Sequence, residues 1–252
     1  MRKLLVIIAA VTGSLACTSN TPVSWGDVVY NGAPQQPQEY PGRIEPPSSS
    51  ACPASLRVAE TASSTYAVWW EVRPDSSGVL KSARKIANEN AWTAPVIADS
   101  TDRSVKGCGR PAPAIAADPS SGYVHIAYFA EPKSGAGVFF EHSMDDGKTF
   151  HAPVPIVFGR NPSRVSVTSS GDRVVVAYED PNSSQPMIGV ALSKSMGHIF
   201  EARSIATSEN GRARQPVVRI KGDSIQLWWS EYSQNATVSA TRPMYRAARW
   251  NP

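Results

Sequence analysis

The chain has 252 residues, 41% of them hydrophobic, which is enough for one large domain or two small ones with a sizeable core. Only 18% are charged, and 21 Pro with 17 Gly break the sequence too often for a helical bundle, so short strands joined by many turns are expected. Lys plus Arg number 25 against 21 Asp plus Glu, a dispersed excess of +4 that predicts no nucleic-acid partner.

Arg2 and Lys3 precede an apolar run from Leu4 to Val11 and the small-residue stretch Thr12-Gly13-Ser14-Leu15-Ala16. Such a run is too short to span a bilayer, which takes about 20 residues, so residues 1–16 read as a cleaved secretory signal peptide. Cys17, directly after Leu15-Ala16, resembles the cysteine of a bacterial lipoprotein signal, which is lipidated and becomes the new first residue. That resemblance implies an exported, lipid-anchored protein on the periplasmic or outer-surface side of a bacterial membrane. The alternative is ordinary cleavage, with Cys17 an incidental thiol. Loss of residues 1–16 leaves 23 basic against 21 acidic residues, so electrostatics says little about partners.

Residues 17–52 are rich in Pro, Gln and Ser, as in Pro34-Gln35-Gln36-Pro37 and Pro46-Pro47-Ser48-Ser49-Ser50, and read as a tether that cannot fold alone. Within it, Ser24-Trp25-Gly26-Asp27-Val28-Val29-Tyr30 has strand composition. It is either an extra strand docked on the following domain or a sticky patch in a linker.

From residue 53 to 252 the chain repeats itself. Four units open with proline and a short apolar strand, at Pro53-Ala54-Ser55-Leu56-Arg57-Val58, Pro113-Ala114-Ile115-Ala116, Pro162-Ser163-Arg164-Val165-Ser166-Val167 and Pro216-Val217-Val218-Arg219-Ile220. Each continues through a turn into a strand with aromatics near its end, at Tyr66–Trp70, Tyr123–Tyr128, Arg173–Tyr178 and Ile225–Trp229. Each closes on an aromatic residue, and Trp92, Phe150, Phe200 and Trp250 are spaced by 58, 50 and 50. Units of about 50 residues with some four short strands each have the size of β-propeller blades, which bury by radial stacking what one blade cannot bury alone.

The second unit ends on Ser143-Met144-Asp145-Asp146-Gly147-Lys148-Thr149-Phe150, which resembles the Asp-box, Ser-x-Asp-x-Gly-x-Thr-aromatic, of BNR-repeat propellers such as sialidases. The third unit holds a degraded copy, Ser193-Lys194-Ser195-Met196-Gly197-His198-Ile199-Phe200. The resemblance implies an all-β, sialidase-like propeller with about four recognisable blades, and it leaves open whether four blades close alone. It makes Ser143, Asp145, Gly147 and Phe150 structural, since Asp bonds backbone amides, Gly takes a positive φ and the aromatic packs between sheets. Cys52 and Cys108 stand just before the first strands of units one and two, equivalent places in adjacent blades, and are expected to form a disulfide in an oxidising compartment.

For function, the recurring feature is Arg before a first strand (Arg110, Arg160, Arg214) and Glu after a second strand (Glu71, Glu131, Glu179, Glu231). On a propeller, equivalent positions fall on a ring, and guanidinium forks suit an anionic glycan or an acidic protein loop. Pairing between blades or plain solvation of the rim is the alternative. The sialidase resemblance implies three carboxylate-binding arginines and a tyrosine nucleophile with a glutamate partner. Tyr40-Pro41-Gly42-Arg43-Ile44-Glu45-Pro46 only distantly echoes the family's aromatic-Arg-Ile-Pro motif, and a six-bladed sialidase needs more repeats than four. Tyr178 with Glu179, and Tyr232 with Glu231, serve that enzymatic alternative only. His125, His142, His151 and His198 are dispersed without paired ligand spacing, so neither a metal nor another cofactor is expected. In each of the pairs Trp69-Trp70 and Trp228-Trp229, neighbouring rings face opposite sides of a strand, one into the core and one toward a sugar or the next blade. The expected role is a non-catalytic cell-envelope scaffold that binds a protein or glycan, alone or in a larger complex. Exo-sialidase-like hydrolysis of a terminal acidic sugar is the alternative.

Overall fold

The computed structural model describes residues 22–30, 34–36, 47–207, 212–232 and 241–251. The signal peptide, Cys17 and the Tyr40–Pro46 echo lie outside the described residues. The described fold is sixteen strands and one 3-10 turn, Pro53–Ser55. A strand β1 (Val23–Val29) precedes β2 (Arg57–Glu60), β3 (Ser64–Val72), β4 (Gly78–Ile86) and β5 (Val96–Asp99), which form the first blade. The second blade is β6 (Ala114–Ala117), β7 (Val124–Ala130), β8 (Gly137–Ser143) and β9 (Val154–Phe158). The third is β10 (Val165–Ser170), β11 (Arg173–Glu179), β12 (Ile188–Ser193) and β13 (Ala202–Ile205). The fourth is β14 (Ala213–Lys221), β15 (Ser224–Tyr232) and β16 (Thr241–Trp250), with β1 as its outer strand.

All neighbours within a blade are antiparallel, and the first strands β2, β6, β10 and β14 together line a central channel of about 270 Å³. This is the β-propeller arrangement. Its strand patterns follow from it: β7, β8 and β12 are buried at every position, because both faces of a middle strand are covered by neighbouring blades, whereas the outer strand β13 is partly buried and exposed by turns. The β-branched run Val174–Val176 therefore needs no polar alternation to be a strand.

Three apolar clusters join consecutive blades. Trp70, Val68 and Leu80 meet Ile126 and Tyr128 between blades one and two; Phe140 and Val138 meet Val176 and Val167 between two and three; Leu192 and Val175 meet Leu227 and Trp229 between three and four. A fourth cluster, built on Trp69, Leu56 and Ala83, covers the remaining face of blade one. The four closing aromatics are distributed one to each cluster, Trp92, Phe150, Phe200 and Trp250. In blades two, three and four the last aromatic thus packs in the seam with the blade before it, while Trp92 packs on the outer face of blade one. Full burial of such a side chain contributes about 1.5–3 kcal/mol.

The strand composition of Ser24–Tyr30 is realised. β1 pairs with β16 from Val23↔Trp250 to Val29↔Tyr245, and Asn251 donates its amide to the Pro22 carbonyl at 2.8 Å. From there the chain passes the side of blade four that faces away from blade three, where Trp228 Nε1 donates to the Pro34 carbonyl at 2.9 Å.

The Asp-box turn is held as its residues require. Asp145 Oδ1 accepts from the Thr149 and Lys148 amides and from Ser143 Oγ, Oδ2 accepts from Thr149 Oγ1 at 2.7 Å, and Ser143 Oγ accepts from the Gly147 amide at 2.8 Å. Burial works against the Asp145 charge, but these donors outweigh it and hold the carboxyl below its ordinary range. The degraded box keeps the turn by substitution: Ser193 Oγ still accepts from the Gly197 amide, and Ser195 Oγ takes the aspartate's place as acceptor from the Ile199 amide at 3.1 Å.

Cys52 and Cys108 are disulfide-bonded, with Cα atoms 5.4 Å apart and a sequence separation of 56. On the chain-entropy argument, closing such a loop stabilises the fold by about 4 kcal/mol. The Cys52→Ser, Cys108→Ser double variant is expected to melt on the order of 10 °C below the wild type in a thermal scan. Asp145→Ala is expected to cost about 1–3 kcal/mol in a denaturant titration, because it orphans several donors at once.

Candidate ligand-binding site

Where the first strands of the blades begin, the channel opens into a second cavity of about 690 Å³. Proline starts at Pro111, Pro113, Pro162 and Pro216 hold the lining segments extended, since proline fixes φ and disfavours helix before it. Basic side chains dominate the polar lining: Arg57, Arg110, Arg164 and Arg214, with Glu179 and Gln36.

These arginines are not equivalent. Arg110 is buried, and its guanidinium is turned onto Asp102, with Nε and Nη2 both 2.9 Å from Asp102 Oδ2 and further donation to the Ser76, Gly107 and Ser104 carbonyls. It stacks 5.9 Å over Trp70 and holds together the loop that carries Cys108. Asp102 also accepts from the Glu131 and Gly78 amides, so this ion pair is saturated by hydrogen bonds, the condition under which a buried pair is tolerated. Arg57 is bonded to the Ala54 and Leu56 carbonyls. Arg164 and Arg214 are exposed, and no side-chain partner is found for either guanidinium among the described residues. Across from them Glu179 is half-buried and accepts from the Gln215 amide at 2.9 Å.

Arg160 lies elsewhere. It lines a separate surface depression with Phe158, Asn161 and Asn182. Arg160 and Arg214 stand at the same distance before a proline, yet only Arg214 is in a strand, because β14 begins at Ala213 and carries a bulge between Arg214 and Val217, with Gln215 at φ +58°. The guanidinium contributed by blade three comes instead from Arg164, at the start of β10. Pro162-Ser163-Arg164 was the available signal for it, since a residue two places after the opening proline is at the strand start rather than in the preceding loop.

The glutamates at the second-strand ends are engaged individually. Glu71 accepts from Trp69 Nε1 at 3.0 Å and pairs with Lys81 at 2.7 Å, Glu131 pairs with Lys106, and Glu231 accepts from Trp229 Nε1 at 3.2 Å. All four tryptophans of the adjacent pairs are buried with their indole N–H groups bonded, Trp70 to the Pro111 carbonyl. None presents a free face to a sugar.

Tyr178 and Glu179 point to opposite faces of β11. Tyr178 is buried in the seam between blades two and three, over Gly189, and burial followed by the charge of Asp180 pushes its hydroxyl up to about 12. Tyr232 ends β15 opposite Thr241 and, like Tyr178, does not line the cavity.

Comparison with solved structures gives repeated-blade enzymes. The chain is similar in fold to sialidases. It aligns with the Hadza microbial sialidase at 17% identity and a TM-score of 0.49 over 75% of this chain and 43% of that one. It aligns with a Bacillus subtilis arabinanase at 14% and 0.43, over 76% and 71%. The subtype N11 neuraminidase-like protein of A/flat-faced bat/Peru gives 9% and 0.47, over 88% and 56%. The chain spans less than half of the sialidase's length, and likeness at this level concerns architecture alone. No protein-family model and no curated protein matches the sequence.

Two groupings were invisible in sequence. The four dispersed histidines come together at one end of the seam between blades two and three. Glu141, on the fully buried β8, lies in the seam between blades one and two beside the Tyr128 hydroxyl and near Asp99. Its only signal was a lone acid in the apolar run Gly137-Val138-Phe139-Phe140-Glu141. Burial, then the charge of Asp99, pushes the Glu141 carboxyl well above its ordinary range. A carboxyl whose folded-state pKa is raised stabilises the fold fully below its unfolded value, and that contribution is lost as pH rises toward the folded value. Glu141→Gln, which stays neutral, is therefore expected to raise the melting temperature at pH 7 while changing it little at pH 4, as read from thermal scans across that range.

Proposed function

We propose that this protein is a non-catalytic binding module of the cell envelope, held by a lipid on Cys17, whose propeller receives an anionic group of a glycan or protein partner at the arginine-lined mouth of its channel. The observation that carries this reading is the pair Arg164 and Arg214, exposed at the starts of neighbouring first strands around one cavity. Arg110 and Glu179 belong to the same lining as framework, Arg110 through Asp102 and Glu179 through the Gln215 amide. Two guanidinium forks on a rigid rim suit a carboxylate, sulfate or phosphate group. A sialidase-like hydrolase is the competing reading from the fold. It requires a tyrosine hydroxyl reachable by substrate, and the burial of Tyr178 argues against that residue in the role.

The test is titration of the purified protein with sialyllactose, an oligogalacturonate and a sulfated oligosaccharide beside their neutral counterparts, followed by calorimetry. Saturable, salt-sensitive binding of an anionic member is expected, weakened roughly 10- to 100-fold by Arg164→Ala or Arg214→Ala and unchanged by Arg160→Ala. Turnover of a fluorogenic sialic-acid substrate that disappears in Tyr178→Phe or Tyr232→Phe would replace the binding module with the enzyme.

A further inference from the structure

All four histidines of the chain meet at the Asp-box end of the seam between the second and third blades. His125 on β7 and His142 on β8 are direct cross-strand partners and are buried, while His151, just after the box, and His198, in the degraded box of blade three, are exposed. The His142 ring centroid is 4.6 Å from that of His151, 4.6 Å from that of His198 and 6.4 Å from that of His125. Tyr123 stacks on His125 and on His142, at 5.9 and 5.8 Å. Among the described residues no three donors are grouped so as to hold a metal ion, so the chemistry this cluster offers is proton binding.

One hydrogen bond of the cluster crosses the seam. His125 Nε2 lies 3.2 Å from the Met196 carbonyl of blade three, and a carbonyl only accepts, so Nε2 carries the proton and Nδ1 keeps its lone pair. His125 Nδ1 is buried without a partner, as is His142 Nε2. The turn that Met196 belongs to rides directly on these rings. A Cβ placed on Gly197 would fall 2.5 Å from Phe140 and 3.7 Å from His125. A second proton on His125 therefore places an N–H in a buried site with no acceptor at hydrogen-bond distance. Two charged groups act on His125: Asp118 favours its cation and His198 opposes it. On His142 the charged neighbours are His151, His198 and His125, with no carboxylate among them.

We propose that the four-histidine cluster is an acid-sensitive clasp, in which proton uptake releases the Ser195–Gly197 turn of blade three from blade two. Burial, the largest cause for each, brings both His125 and His142 down to about 4, against 6.5 for a released imidazole. The released state takes up protons first, so docking is at full strength above pH 6.5, weakens as pH falls from 6.5 toward 4, and loses nothing more below that. Across that window His125 alone shifts the docked-to-released ratio by up to about 300-fold, and His142, beside two exposed rings, by less.

The experiment is hydrogen exchange on the intact protein at pH 7.5, 6, 5 and 4.5, corrected for intrinsic rates, together with imidazole titration by NMR. Peptides covering 121–129, 139–151 and 193–200 are expected to lose protection as pH falls while 66–70 and 225–229 keep theirs. His142→Phe keeps the ring without the charge and His125→Gln keeps a donor for Met196, and both are expected to flatten the profile. Loss of protection spread evenly over all blades, both variants following the wild-type profile, or four wild-type histidines titrating near 6.5 would each overturn the clasp.

Discussion

A twisted sheet with two apolar faces cannot be left with either face in water, and everything in this molecule is arranged around that constraint. The middle strands β7, β8 and β12 are buried throughout because blades two and three each lie between two others. The closing aromatics of blades two, three and four serve the seam behind them rather than their own sheet. The indole N–H groups of the two adjacent tryptophan pairs follow it: Trp69 and Trp229 use a glutamate two residues ahead on the same strand, while Trp70 and Trp228 reach carbonyls of neighbouring segments. These four buried donors are thus matched nearby, as the cost of leaving them unpaired demands, while His125 Nδ1 and His142 Nε2 are left without a partner.

What was legible in the sequence is what repeats. The opening prolines and the box turn are fixed by offsets of a few residues within one unit, the blade period and the two cysteines by the same places recurring in the next unit, and the structure reproduces them. What was not legible arises between units. The edge that Ser24–Tyr30 would join was unknowable, because its partner β16 lies more than two hundred residues away. Arg160 and Arg214 looked equivalent by offset, but a bulge puts one on the cavity rim and leaves the other outside it. The histidines looked dispersed because His198 comes from a different blade.

The two ends of the seams carry different chemistry. At the strand starts, permanent guanidinium charge lines an open cavity; at the Asp-box end, neutral imidazoles are packed where charge is disfavoured. Glu141 sits in the neighbouring seam with the opposite preference, gaining from low pH where the histidines lose. The protein's response to acid is therefore the resultant of two seams pulling in opposite directions, and a single melting curve conceals both.

The pairing of β1 with β16 has a consequence for how the molecule comes into being. Of the described strands, β1 is synthesised before the others and has its place beside β16, so a growing chain can complete three blades in order but must carry β1 unpaired until β16 is made. The fourth blade is then the last of the four to form, and in it β1 meets a strand made more than two hundred residues later. Fraying of β1 or of β16 would loosen the same sheet, and with it the Arg214 side of the channel mouth.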